Sequence, residues 1–301
     1  MWKNKLSYKD LLNDAAKNSN DVHVISDEES ADLKRCLYEM AVDLDKRCRK
    51  NGLKLFLVGG SLLGCIRHGG FIPWDDDMDL ALSRADYKKL ISIFDSEFGD
   101  IYMLRSPNSP WPNGNRFMQI YKKGTVMRSV GMENPFQPHS VCVDIFPYDY
   151  VPENKLIRVI KGYRANALMA IASCVMDYRY MDSYTRQLLE NGGVFLMKAR
   201  RLVGILFSYR SPAFWFDRVD NAIQTNKKTC LVTSATGRKH YFGEIYPTEV
   251  FFPLKEARFF EHMFYIPADA DAYLRGLYGS DYMTPPPEKK RESHYVCELH
   301  I

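Results

Sequence analysis

The chain has 301 residues, 46% of them hydrophobic and 26% charged, with 41 Lys+Arg against 37 Asp+Glu for a net charge of +4. These are ordinary globular values: they exclude a disordered or fibrous chain, allow one large domain or two small ones, and give no argument for nucleic acid as a partner. The seven cysteines are odd in number and form no C-x-x-C pair, so they read as small buried side chains in a reducing compartment, not as a disulfide or zinc framework.

Residues 1–20 are polar and lack the apolar core of a secretory signal. Ser26-Asp27-Glu28-Glu29 is a capping box, and Leu33, Leu37, Met40 and Leu44 follow at helical spacing until Asn51-Gly52 stops the helix. Residues 53–58 form an apolar run that predicts a buried strand ending at Gly59-Gly60, with a helix beginning near Ser61. Residues 77–82 alternate, Met78, Leu80 and Leu82 against Asp77, Asp79 and Ala81, which predicts a strand with its carboxylates on one face. Ser83 then caps a helix carrying Tyr87, Leu90, Ile91 and Phe94 on one stripe. Further strands are expected at 101–104, 116–122, 125–128 and 141–146, with Lys123-Gly124 turning the middle pair into a hairpin. From about Lys155 the chain reads mostly helical, a soft boundary falls near Pro152, and Pro285-Pro286-Pro287 halts any regular element. The longest apolar stretch, 165–176, is shorter than the ~20 residues of a spanning helix, so a cytoplasmic location is expected.

Three features carry chemistry. Gly59-Gly60 opens a helix where a backbone can approach a phosphate, and Ser61 can add a hydroxyl. Four carboxylates, Asp75, Asp76, Asp77 and Asp79, lie within five residues, a costly arrangement unless a cation or solvent offsets the charge. On a strand Asp77 and Asp79 share a face, as hard oxygen ligands for Mg²⁺ or Mn²⁺ do; a solvated acidic loop is the competing reading. Asp144 sits between Val143 and Ile145 and needs a partner there, either the same metal or a structural hydrogen bond.

Gly-Gly-Ser, Asp-x-Asp and a later strand Asp together resemble the nucleotidyltransferase core. The longer run from Val58-Gly59-Gly60-Ser61 through Arg67-His68-Gly69-Gly70 to Pro73-Trp74-Asp75-Asp76-Asp77-Met78-Asp79 resembles the signature of the LicD family. That family includes bacterial cholinephosphotransferases and is related to fukutin-type ribitol-phosphate transferases. Asp144-Ile145-Phe146-Pro147 resembles its second block, and Tyr278-Gly279-Ser280-Asp281-Tyr282 through Pro287, Lys289, Arg291 and His294 its closing block. Cys65 and the inserted Ser280 are small departures.

The resemblance implies an α+β fold, a nucleotidyltransferase-like mixed sheet with flanking helices and a mostly helical C-terminal portion. Residues 1–152 would be the catalytic core, and 153–301 a helical subdomain completing the donor and acceptor site. It implies transfer of a phospho-alcohol, phosphocholine first among the options, from a CDP-alcohol to a hydroxyl of a glycan or lipid-linked sugar, with release of CMP. Asp77, Asp79 and Asp144 would hold Mg²⁺ or Mn²⁺, and Asp144 or Asp75 would take the acceptor proton. Gly59, Gly60, Ser61, Arg67, His68, Lys289, Arg291 and His294 would bind substrate. Trp74 either walls the site or packs in the core. A nucleotidylyltransferase, a metal-dependent glycosyltransferase and a scaffold with a vestigial site are the alternatives.

One feature stands outside this scheme. Between Val194 and Phe216, Lys198, Arg200, Arg201 and Arg210 interleave with apolar side chains. Such a segment either lies on an anionic membrane surface or forms core helices with basic solvated edges.

Overall fold

Ser26 starts the first helix as its capping box predicts. The Ser26 hydroxyl accepts from the Glu29 N–H at 3.2 Å, and the Glu29 carboxylate accepts from the Ser26 N–H at 2.8 Å. In the computed structural model, residues 23–108, 115–129, 134–135, 137–182, 186, 195–288, 291 and 295–301 are described. The N-terminal 22 residues, Lys289 and His294 therefore lie outside the described residues.

Strand β1 is His23–Val24, and helix α1 (Asp27–Lys50) buries Leu33, Leu37, Met40 and Leu44. The expected strand at 53–58 shortens to β2 (Phe56–Leu57), because helix α2 (Gly59–His68) begins at the first glycine. Gly59-Gly60-Ser61 is thus the first helical turn and not a linker before it. Strand β3 (Asp79–Ser83) starts two residues later than the alternation suggests, leaving Asp77 just ahead of it. Leu80, Ala81 and Leu82 are all buried, so this strand is covered on both faces. Ser83 caps α3 (Arg84–Glu97), which buries Tyr87, Leu90 and Phe94.

Strands β4 (Tyr102–Arg105), β5 (Met118–Lys122), β6 (Val126–Ser129) and β7 (Cys142–Tyr150) follow. The hairpin expected at Lys123-Gly124 does not form. Both edges of β5 are taken, by β4 and β7, so β6 crosses to a separate sheet and pairs with β12 (Tyr295–His300).

Beyond Pro152 come α4 (Lys155–Tyr180), α5 (Phe195–Phe207) and α6 (Pro212–Ile223). Helix then gives way to β8 (Leu231–Thr233), β9 (Ile245–Pro247), β10 (Lys255–Phe259) and β11 (His262–Ile266), before α7 (Ala270–Tyr278). The main sheet runs β10-β11-β2-β3-β7-β5-β4, with β8 and β9 attached to β7. β3–β7 and β11–β2 are parallel and the other pairs antiparallel, so the sheet is mixed and the fold α+β.

The sheet draws strands from both sides of Pro152. A second core gathers Ala165, Met169 and Val175 of α4 with Trp215, Phe216 and Val219 of α6. Arg84 joins the two cores, its guanidinium meeting Asp149 at 2.6 Å and Asp220 at 2.7 Å. Both carboxylates are buried and share the one guanidinium, and the Asn108 and Gln224 amides, each at 2.8 Å, donate to Asp220 as well.

Candidate active site

Asp79 and Asp144 lie directly opposite each other on the parallel strands β3 and β7. Parallel pairing at this register brings two carboxylates together although 65 residues separate them in the chain. Asp77 approaches from just before β3, and all three side chains line the same cleft.

The glycines of α2 let the backbone reach these carboxylates. Gly59 has φ +51°, and a Cβ there would collide with the Asp79 carboxylate. A Cβ on Gly60 would stand 2.9 Å from Asp75 Oδ2. The Gly60 N–H donates to Asp79 Oδ2 at 2.9 Å, and the Gly59 N–H donates to the Tyr273 hydroxyl at 3.1 Å. The anion at this helix N-terminus is therefore the Asp79 side chain, where the sequence suggested a phosphate. Ser61 also differs from expectation: it is buried, its hydroxyl accepts from the Asp79 N–H at 2.8 Å and contacts Met78 Sδ. It is a strut that fixes the acidic segment, not a group facing the cleft.

The carboxylates hold their protons more tightly than free Asp. The enclosing protein pushes Asp144 up to about 6, against the opposing pull of the Gln119 amide, which donates at 2.8 Å, and of Arg116. Lost solvation and then the Asp144 charge push Asp79 up to about 7, while the Gly60 N–H pulls the other way. Asp77 is open to the cleft, yet the cleft walls and then Asp79, Asp75, Asp76 and Asp144 raise it well above the carboxylate range.

Glu244, a buried carboxylate in the same cleft, is pushed up to about 7 by burial and restrained by the Lys239 N–H. Raised carboxylates stabilise the fold below their unfolded pKa of ~4, and that contribution is lost as pH rises through the folded values. The expected result for metal-free protein in EDTA is a melting temperature that falls between about pH 4 and 7 from Asp144, Asp79 and Glu244. A melting temperature rising across that window would contradict these assignments.

The cleft has two lobes, which share Asp77, Asp79, Arg238 and Tyr278 as their common border. The first, about 500 Å³, is lined by Gly60, Arg67, Trp74, Asp75, Tyr282 and the triple proline. The second, about 410 Å³, is lined by Arg116, Phe146, Asp144, Ser234, Glu244 and Tyr273.

Arg67 is held by the Tyr282 carbonyl at 2.7 Å, and His68 accepts from Arg67 Nε at 2.9 Å. His68 thus braces Arg67 and does not line either lobe. Arg291 lies against the wall of the first lobe, its guanidinium 4.4 Å from the Trp74 ring centre and its Nε donating to the Pro286 carbonyl at 3.3 Å. Trp74 combines both readings, walling the first lobe and packing against the core.

Sequence reasoning passed over Arg116, Arg238, Glu244, Ser234 and Tyr273. They carry no local motif, and only the return of the chain after α6 delivers most of them to the cleft. Asp144 in a strand did signal that some partner must face it, and Gln119 and Arg116 are part of that answer.

Residues 52–164 match the family model described as LicD/FKTN/FKRP, nucleotidyltransferase domain, a span that includes Asp75, Asp77, Asp79 and Asp144. Over these residues the chain is similar to the LicD-family nucleotidyltransferase domain. Over 260 residues it is 27% identical to the lipopolysaccharide cholinephosphotransferase LicD of Haemophilus influenzae, covering 84% of this chain and 91% of that protein. A shorter segment of 50 residues is 42% identical to the human ribitol 5-phosphate transferase FKRP, covering 17% of this chain and 10% of that protein. A segment of the same length is 40% identical to an uncharacterised protein of Rickettsia prowazekii. The parts of the cleft contributed by Ser234, Arg238, Glu244, Tyr273 and Tyr278 lie outside the residues matched by the LicD-family model.

Proposed function

We propose that the chain is a metal-dependent phosphotransferase that moves a phospho-alcohol, phosphocholine, from a CDP-activated donor to a hydroxyl of a cell-surface glycan precursor, releasing CMP. The observation that carries this reading is the placement of Asp77 and Asp79 where two cavities meet, with Asp144 opposite Asp79 in the second. A phosphoryl group transferred in line needs its leaving group on one side and its acceptor on the other. Two lobes either side of one acidic border meet that need.

The donor set fits Mg²⁺ or Mn²⁺ in kind: three carboxylates, mutually repelling, that gain from a shared cation. Among the described residues no group of three or more such side chains already forms a ready-made cage. Mg²⁺ commonly keeps waters and takes substrate phosphate oxygens beside one or two carboxylates, so an open site suits it. Asp77, Asp79 and Asp144 would hold the ion, which would supply charge neutralisation on the donor pyrophosphate.

The chain's own residues do the rest. Arg67 and Arg291 with Trp74 bind the nucleotide end in the first lobe, and Arg238 at the border meets phosphate charge. In the second lobe the Ser234 hydroxyl is buried without a partner among the described residues, and a polyol acceptor satisfies it. Phe146, Tyr148, Tyr273 and Tyr278 stand there beside Asp144 and Glu244, surroundings that suit a quaternary ammonium and favour choline over uncharged alcohols.

Glu244 takes the acceptor proton as the acceptor oxygen bonds to phosphorus and the bond to CMP breaks. Its pKa of about 7 matches that task. A base works deprotonated, so activity rises with pH through about 7. Glu244→Gln is expected to lower kcat by ~10²–10⁴ and to erase that acidic limb while donor KM changes little. Persistence of the limb in the variant would place the base elsewhere.

The reaction itself is tested by its products. Purified protein with Mg²⁺, CDP-choline and a glycan acceptor is expected to release CMP and to stop in EDTA. Release of pyrophosphate from a nucleoside triphosphate, with CDP-choline left intact, would identify a nucleotidylyltransferase instead.

A further inference from the structure

Two helices of the second core leave apolar faces uncovered. On α4, Leu156, Ile160 and Tyr163 occupy one stripe and are 60–68% exposed. That stripe continues to Cys174 and Tyr178, where α5 packs over it through Gly204. The outer side of α5, away from Gly204, carries Leu202, Ile205 and Leu206, exposed by 58%, 47% and 62%. Apolar residues scattered singly on a surface need no explanation. Repeated ones on two helices packed together do.

The charge pattern says what covers them. Helices α4 and α5 together carry eight Lys or Arg and a single acidic residue, Asp177, which pairs with Arg200. Their net charge exceeds the +4 of the whole chain, so the remainder of the protein is net negative. Lys155, Arg164, Lys198 and Arg210 are exposed around the apolar side chains. A second copy of the chain is a poor occupant, because a two-fold contact would bring the cations against themselves. No helix among the described residues is long and apolar enough to cross a membrane, so any lipid contact through these helices is at the surface.

We propose that the outer face of α5 docks on an anionic lipid bilayer, with Leu202, Ile205 and Leu206 at the headgroup boundary and Lys198 and Arg210 among the headgroups. This rests on the surface alone and not on the catalytic reading. The net negative remainder is repelled by the same lipid, so the charge asymmetry also orients the molecule.

The test is flotation of the full chain with vesicles of equal phosphatidylglycerol and phosphatidylcholine, and with phosphatidylcholine alone. Binding is expected only to the anionic vesicles and weakens with salt. The double variant Leu202→Glu, Leu206→Glu is expected to reduce partitioning at least ~30-fold with an unchanged melting temperature. Should that variant fail to fold, Lys198→Glu with Arg210→Glu, both at exposed positions, reads the same surface. No flotation with anionic vesicles, or undiminished flotation of a folded variant, would overturn the proposal. So would a wild-type dimer in light scattering that Leu202→Glu dissociates, which would make this face a protein interface.

Discussion

Asp79→Asn is expected to abolish transfer while making the metal-free protein more stable. The asparagine keeps an oxygen for the Gly60 N–H, so the geometry of α2 against β3 survives. What is lost is a charge that the site needs for its cation and that the fold resists, as the pKa of about 7 records. A carboxylate that holds the metal supports both donor binding and the transition state, so kcat/KM is expected to drop by at least ~10³. Relief of repulsion with Asp144 raises the melting temperature in EDTA, by roughly 2–4 °C for each kcal/mol gained in a chain of this size. The two readouts moving in opposite directions separate a functional charge from a structural one. Wild-type turnover, or a fall in stability together with activity, would count against the assignment.

Gly59→Ala is the second large effect, and there both readouts fall. Gly59 combines φ +51° with a position where a Cβ would collide with the Asp79 carboxylate. The backbone conformation alone costs an alanine about 1 kcal/mol, and displacing the carboxylate adds more, for a total of about 2–4 kcal/mol. A carboxylate moved by about an ångström from a reacting phosphate loses on the order of 100-fold in rate. Gly60→Ala is the internal control. Its φ is ordinary and its Cβ would stand 2.9 Å from Asp75 Oδ2, the far end of a side chain that can give way. The expected order of damage in both melting temperature and CMP release is Gly59→Ala well above Gly60→Ala. Equal or reversed effects would contradict the close approach between α2 and β3.

The acidic centre was legible in the sequence because crowded carboxylates are a local cost visible in the residues themselves. Alternation of Met78, Leu80 and Leu82 placed Asp79 on one face, and Asp144 between apolar neighbours demanded a partner. The resemblance to the LicD blocks pointed to the same residues. Roles were harder to read than positions. Ser61 looked like a phosphate ligand, but its hydroxyl is held by the Asp79 N–H, which no spacing rule anticipates. Lys123-Gly124 has good turn chemistry, yet a turn cannot know that both edges of β5 are already occupied. Strands β8 to β11 are short, and β10 is largely exposed at the sheet edge, so neither period nor burial marks them strongly. Missing those strands hid the return of the chain that brings Ser234, Arg238 and Glu244 to the cleft.

The most direct test of the phosphotransferase reading is a thermal-shift screen of the full chain against CDP-choline, CDP-ethanolamine, CDP-glycerol, CDP-ribitol and nucleoside triphosphates, each with Mg²⁺ and with EDTA. Selective stabilisation by CDP-choline that disappears in EDTA and in Asp79→Asn is the expected result. Stabilisation by nucleoside triphosphates alone, or a CDP-choline shift indifferent to EDTA, would contradict a metal-dependent CDP-alcohol site built on Asp77, Asp79 and Asp144.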